Sequence, residues 1–128
     1  MNPQTLMDDM SVQWQRERAE TQLTLGKLID ALEAMPADAM VANLCDAHSY
    51  RGYYSDLAFE QNEGTCPAAE LLAVCRTALW QVFRGYKGGK FVMGTLTPIW
   101  VAYYGCTGQR LMALHVGGEI EVQAETET

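Results

Sequence analysis

The chain has 128 residues, 48% of them apolar and 20% charged, the proportions of a folded globular domain rather than a disordered or collagen-like chain. A net charge of -7 argues against coating duplex nucleic acid, whose affinity comes from cations that release counterions. No apolar run approaches the ~18 residues of a bilayer span, so no membrane partner is expected. The length fits one domain, residues 1–128, with a helical N-terminal extension at 1–23 and a polar tail at 124–128. Asp8 and Asp9 stand where a signal peptide carries base, which points to the cytoplasm. Cys45, Cys66, Cys75 and Cys106 form no Cys-x-x-Cys pair and have only His48 and His115 to assist them. Buried or free thiols are therefore expected, and no metal centre.

Leu6, Met7, Met10 and Trp14 recur at helical steps over residues 4–20, with Arg16, Glu17, Arg18 and Glu20 forming a charged far side. Thr24 is placed to cap a second helix, whose stripe is Leu25, Leu28, Ile29 and Leu32 and which Pro36 stops. Gly26 costs such a helix about 1 kcal/mol, so tertiary contacts must hold it. Residues 39–44 read as a short strand. Tyr53 to Glu60 alternates as a half-buried strand, with Tyr53, Ser55, Leu57 and Phe59 on one face and Tyr54, Asp56, Ala58 and Glu60 on the other, and Gln61 to Cys66 reads as turns. From Pro67 a helix is predicted along Leu71, Leu72, Cys75, Ala78, Leu79, Val82 and Phe83, ending at a left-handed Gly85. Cys75 and Trp80 read as packing residues of that helix.

Strands follow at Phe91 to Met93 and Pro98 to Gly105, the second apolar on both faces and hence central or covered. Gln109 to Val116 and Glu119 to Gln123 are joined through Gly117-Gly118 as a hairpin. This order predicts an α+β fold, a mainly antiparallel sheet with two to three helices packed on one face.

The net charge hides an asymmetry. From Leu71 to Gly118 there is no Asp or Glu, where an even spread would place about six. Arg76, Arg84, Lys87, Lys90 and Arg110 lie in that stretch, leaving -12 for the rest of the chain. A region kept clear of carboxylates suits an anion. Within it, Gly85-Tyr86-Lys87-Gly88-Gly89-Lys90 has the glycines of a backbone anion nest flanked by lysines. It matches neither the P-loop nor the dinucleotide fingerprint, and two readings stay open: a helix C-cap leading into a hairpin, or a ligand-lining loop.

Aromatic residues crowd the same part of the chain, with Tyr50, Tyr53 and Tyr54 on the earlier strand. Rings beside a phosphate-binding cation are equipment for a nucleotide. Arg51 is placed to stack on a ligand or fork a phosphate, or else to lie in solvent. Arg110 reads as a ligand cation or an exposed edge charge. No catalytic group is expected. Asp46, His48 and Ser49 are too close in sequence to form a nucleophile, base and acid, and His115 reads as a strand residue. A cation-lined site without carboxylates also lacks the groups that place magnesium for hydrolysis, and no cofactor is implied.

Ser49-Tyr50-Arg51-Gly52-Tyr53-Tyr54-Ser55-Asp56-Leu57-Ala58, Gly85-Tyr86-Lys87-Gly88-Gly89 and Pro98-Ile99-Trp100-Val101-Ala102 resemble segments of small phage and prophage proteins. The resemblance runs from about Leu25 to Arg110 and is to the first family of Thoeris anti-defence proteins. Those are sponges that sequester a cyclised ADP-ribose signal, in some members cyclic oligonucleotides, without cleaving them. The resemblance implies a phage protein at work in the bacterial host cytoplasm, binding a small anionic nucleotide signal. It also implies a homo-oligomer, a dimer or trimer of dimers, whose ligand is gripped by an aromatic residue and arginines at Phe83, Arg51 and Arg110. The family also uses an asparagine, and here Met93 and Tyr103 stand at the nearby positions instead. Together with the residue reading, the expected ligand set is Tyr50, Arg51, Phe83, Tyr86, Lys87 and Arg110. Two other readings remain: an acidic inhibitor of a host or CRISPR-type defence enzyme, and a small nucleotide-handling enzyme using His48 or His115.

Overall fold

The computed structural model describes residues 16–51, 53–85, 88–102, 108–115 and 117–124. Its helices are α1 (residues 16–21), α2 (Leu25–Glu33) and α3 (Ala68–Ala78). The strands are β1 (Met40–Ser49), β2 (Leu57–Pro67), β3 (Val82–Arg84), β4 (Lys90–Val92), β5 (Ile99–Val101), β6 (Gln109–Leu114) and β7 (Ile120–Ala124). The fold is α+β, with a five-stranded sheet in the order β1-β2-β5-β6-β7 and a two-stranded sheet β3-β4. All pairs are antiparallel except β2 with β5. Of the expected first helix, residues 4–15 lie outside the described part of the chain, as do Tyr103 to Gly105 of the expected central strand.

Thr24 caps α2 as the sequence implies, its hydroxyl accepting from the Lys27 N–H, while Leu25, Leu28, Ile29 and Leu32 are buried. Gly26 has a packing reason. Its N–H donates to the Thr95 carbonyl at 2.9 Å, and an added Cβ would stand 2.8 Å from that oxygen. The close approach of the 94–97 turn offsets the helix propensity that Gly26 gives up.

The residues between α1 and α2 wedge open one end of the sheet. The Leu23 N–H donates to the Leu111 carbonyl on β6, and the Leu23 carbonyl accepts from the Ile99 N–H on β5. Gln22 reaches Ile99 through its side-chain amide, and Thr24 bridges to Pro98. At the other end, the Ala42 N–H of β1 donates to the Gly118 carbonyl in the β6–β7 turn. The sheet therefore curls until its two ends meet there.

The alternation of β2 and β5 splits their side chains between two cores. Leu57, Phe59 and Ile99 join the main cluster beneath α2 and α3. Ala58 and Trp100 point the other way and pack with Tyr50 and Ala102. Both faces of β5 are buried, as its apolar pattern requires.

Several expectations are corrected. β1 continues past residue 44 to Ser49, carried over an irregularity at Asp46, whose φ is 51°. The Tyr53 to Glu60 strand begins only at Leu57, because residues 53–56 turn; it runs on through the expected Gln61 to Cys66 turns, with a bulge at Gly64. α3 stops at Ala78 and not at Gly85. Leu79 leaves the helix with an extended ψ of 126°, Trp80 follows at a φ of 65°, and Val82 to Arg84 pair with β4. The β-branched and aromatic residues Val82 and Phe83 satisfy a strand better than a fourth helical turn. Trp80 is consequently exposed, not packed in the core. Gly85, Gly88 and Gly89 lie between β3 and β4, with Gly88 and Gly89 at positive φ and the Gly85 N–H donating to the Gly89 carbonyl.

Candidate ligand-binding cleft

The segment between β1 and β2 folds on itself. The Tyr50 N–H donates to the Asp56 carbonyl, Asp56 donates to the Tyr53 carbonyl, and the Ser49 hydroxyl donates to the Tyr54 carbonyl. These bonds wrap the loop around Trp100. The Tyr50 ring stacks on the indole at 4.3 Å and 14°, and Tyr53 lies 5.7 Å from it. The Tyr50 hydroxyl accepts from the Gly108 N–H at 3.1 Å, and an added Cβ at Gly108 would collide with the Tyr50 ring.

Asp56 is the anchor. It has no solvent exposure and takes the indole N–H of Trp100 at 2.8 Å. It also takes a fork from Arg18, Nε at 2.6 Å and Nη2 at 3.0 Å. Burial pushes the Asp56 carboxyl above the usual carboxylate range, against the opposing pull of Arg18 and Trp100. The Arg18 guanidinium lies 4.1 Å over the Tyr53 ring, a cation–π contact that ties α1 to the loop. Two expectations are thereby corrected: Arg18 turns inward from the charged side of its helix, and Asp56 lies in a turn before β2 and not within a strand. Only the coincidence of an isolated acid within a tyrosine-rich loop hinted at this in the sequence.

Arg110 on β6 is the cross-strand partner of Trp100 on β5, so the two side chains share one face of the sheet. Together with Glu17, Arg18, Thr21 and Tyr53 they line a cleft of about 480 Å³. That volume lies within the ~300–1,000 Å³ range of small-molecule sites. Trp100 is its fully buried floor; Tyr53 is the ring that reaches the surface.

The sequence-derived ligand residues divide. Tyr50 and Arg110 meet at Trp100, Tyr50 as a buried support and Arg110 as a wall. Arg51 is exposed on the same loop. The β3–β4 turn touches that loop as well: Tyr54 packs edge-on to Phe91 at 6.0 Å, and an added Cβ at Gly85 would stand 3.0 Å from the Tyr54 ring. The tyrosine loop therefore touches both Trp100 on β5 and the start of the β3–β4 connection at Gly85. Tyr86 and Lys87 lie outside the described residues. Phe83 does not join this cleft; its ring lines a separate depression of about 510 Å³ with Ala47, Val74, Thr77 and Gln81.

The potential catalytic groups are engaged otherwise. The single Ser49 proton goes to the Tyr54 carbonyl, not to His48, and His48 Nδ1 lies 2.7 Å from the Asp46 carbonyl, so that nitrogen carries its proton. His115 makes an exposed contact with Glu121 at 3.5 Å. Among the described residues no group of three or more His, Cys, Asp or Glu comes together, Cys45, Cys66 and Cys75 are free thiols, and no helix is long and apolar enough to cross a membrane. No family model, curated protein or solved structure matches the chain.

Proposed function

We propose that the protein binds a small phosphorylated aromatic ligand of the nucleotide class in the Tyr53–Trp100–Arg110 cleft and holds it without cleaving it. The observation that carries this reading is the Trp100–Arg110 cross-strand pair, which sets a guanidinium in a cleft of ligand size where the Tyr53 ring reaches the surface beside the buried Trp100. A ring face accepts a base, and a guanidinium fork accepts a phosphate. Arg18, held by Asp56, fixes the Tyr53 ring and adds a second guanidinium to the rim. The resemblance to Thoeris anti-defence sponges makes a cyclised ADP-ribose or a cyclic oligonucleotide the ligand to try first. In a phage-infected cell such a sponge would act by mass action, lowering the free signal below what its effector needs.

The test is incubation of the purified chain with cyclic ADP-ribose isomers and cyclic dinucleotides, removal of unbound ligand, then heating and chromatography of what is released. Recovery of intact nucleotide supports the reading, and its loss in Arg110→Ala places the ligand in this cleft. Degraded nucleotide would make the protein an enzyme. No retention of any nucleotide would leave the acidic-inhibitor reading.

A further inference from the structure

The α1 side of the Trp100 cleft differs in chemistry from the sheet side. Glu17 and Thr21 stand four residues apart, share one face of α1 and both line the cleft. The single Thr21 hydroxyl proton is spent on the helix, shared between the Arg18 carbonyl at 3.2 Å and the Glu17 carbonyl at 3.4 Å. Towards a ligand that oxygen can only accept, and the Glu17 carboxylate is an acceptor as well. Glu17 is exposed, and among the described residues its carboxylate makes no hydrogen bond and no ion pair.

The remaining polar groups donate. Arg110, on β6, brings a guanidinium, which has no acceptor. Arg18 spends its Nε and one Nη2 proton on Asp56 and keeps Nη1. The two guanidiniums are matched in charge by Asp56 and Glu17, so the cleft has no positive charge to spare. Acceptors on one side and donors on another fit a ligand that carries protons to give as well as an anion. A nucleotide that keeps its sugar hydroxyls is such a ligand: the hydroxyls donate to Glu17 and Thr21 while a phosphate takes Arg110. The same carboxylate works against every further phosphoryl group, because each adds negative charge to a cleft already balanced. A purely cationic site would do the reverse and hold a triphosphate most tightly.

We infer that Glu17 is the specificity-determining residue of this cleft, accepting the sugar hydroxyls of a ribonucleotide with few phosphates and turning away nucleoside triphosphates. The inference rests on the nucleotide reading of the cleft and adds a selection rule to it. In a cell rich in ATP, a binder open to triphosphates would be filled by mass action before a rarer nucleotide reached it.

NMR titration of the full chain with AMP, with its dideoxy analogue lacking both ribose hydroxyls, and with ATP tests the rule beside Glu17→Gln and Arg110→Ala. Unchanged far-UV circular dichroism shows that both variants fold. The unsubstituted chain should bind AMP more tightly than ATP, and about tenfold more tightly than the dideoxy analogue. Glu17→Gln keeps the shape and removes the charge. Its affinity for ATP should rise about threefold or more, a gain that shrinks between about 20 and 200 mM salt, and its preference for AMP over the dideoxy analogue should narrow to about threefold. ATP bound as tightly as AMP by the unsubstituted chain, or ratios that Glu17→Gln leaves unchanged, would overturn the inference; the nucleotide reading then stands if Arg110→Ala still abolishes AMP binding. Binding that Arg110→Ala leaves untouched lies outside this cleft and overturns both. An unsubstituted chain that binds no AMP overturns the selection rule alone, and retention of cyclic nucleotides then judges the nucleotide reading by itself.

Discussion

Replacing Asp56 with alanine removes the group on which α1, the tyrosine loop and β5 all depend. Hydrogen bonds from Arg18, from the Trp100 indole and from Ser55 all go at once. The indole N–H is left in a site without solvent, and the Arg18 side chain, only 15% exposed, loses its counter-ion. Breaking one side of such a pair typically costs about 3–5 kcal/mol. Burial already holds the Asp56 carboxyl above its usual range, so the folded state bears a cost for keeping it ionised, and Asp56→Ala should fall at the lower end, about 3 kcal/mol. Asp56→Asn retains an acceptor for the indole and sheds the charge, and should cost about 1–2 kcal/mol. Urea denaturation followed by tryptophan fluorescence reads both. With a slope of about 1–3 kcal/mol/M the alanine variant loses one molar or more from its midpoint. In a cycle with Arg18→Met the two substitutions should be strongly non-additive. A loss below about 1 kcal/mol for Asp56→Ala, or additivity with Arg18→Met, would refute the anchor role.

Tyr50→Phe strands the buried Gly108 N–H and should lower stability by about 1–2 kcal/mol in the same assay without altering secondary structure. Gly118→Ala places a Cβ onto the Met40 carbonyl at a φ of 90° and should cost about 2 kcal/mol or more. Gly64→Ala, at a φ of 80° but in open space, should cost only about 1 kcal/mol, and thermal melts of the two variants check the difference. Burial pushes the Cys75 thiol from 9.0 up to about 12, so the folded state keeps a proton that the unfolded state gives up. Stability is thus unaffected by this group below about pH 8 and falls between pH 9 and 12 by up to about 1.4 kcal/mol per pH unit. Cys75→Ala should flatten that part of the denaturation profile, and alkylation at pH 8 with peptide mapping should label Cys45 before Cys75.

Local rules reached the ends of α2 and the β6–β7 hairpin because their determinants are neighbours in sequence: the Thr24 hydroxyl on Lys27, and Gly118 at positive φ. They failed over residues 79–84, where Leu79, Val82 and Phe83 fit a helical stripe as well as a strand. Pairing with Lys90 to Val92 decided the outcome, and no local pattern encodes a partner. The central position of β5 was legible from two apolar faces, but not its parallel partner β2, 42 residues away by the Leu57–Ile99 register. Of the cleft, Arg110 and Tyr50 were visible as a cation and a ring in a carboxylate-poor, aromatic-rich chain. Arg18 was not, since its partner Asp56 lies 38 residues on and an arginine among glutamates on a helix looks like solvent surface.

The single parallel seam between β2 and β5 also orders how the protein must be made. The β1–β2 and β6–β7 hairpins are local and can form as soon as they leave the ribosome, but the edge at Leu57 to Phe59 stays open until Ile99 to Val101 has been synthesised. A nascent chain stalled before Ile99 presents a bare, fully apolar strand edge. That interval is when aggregation threatens, and chaperone demand should peak there and end once β5 docks.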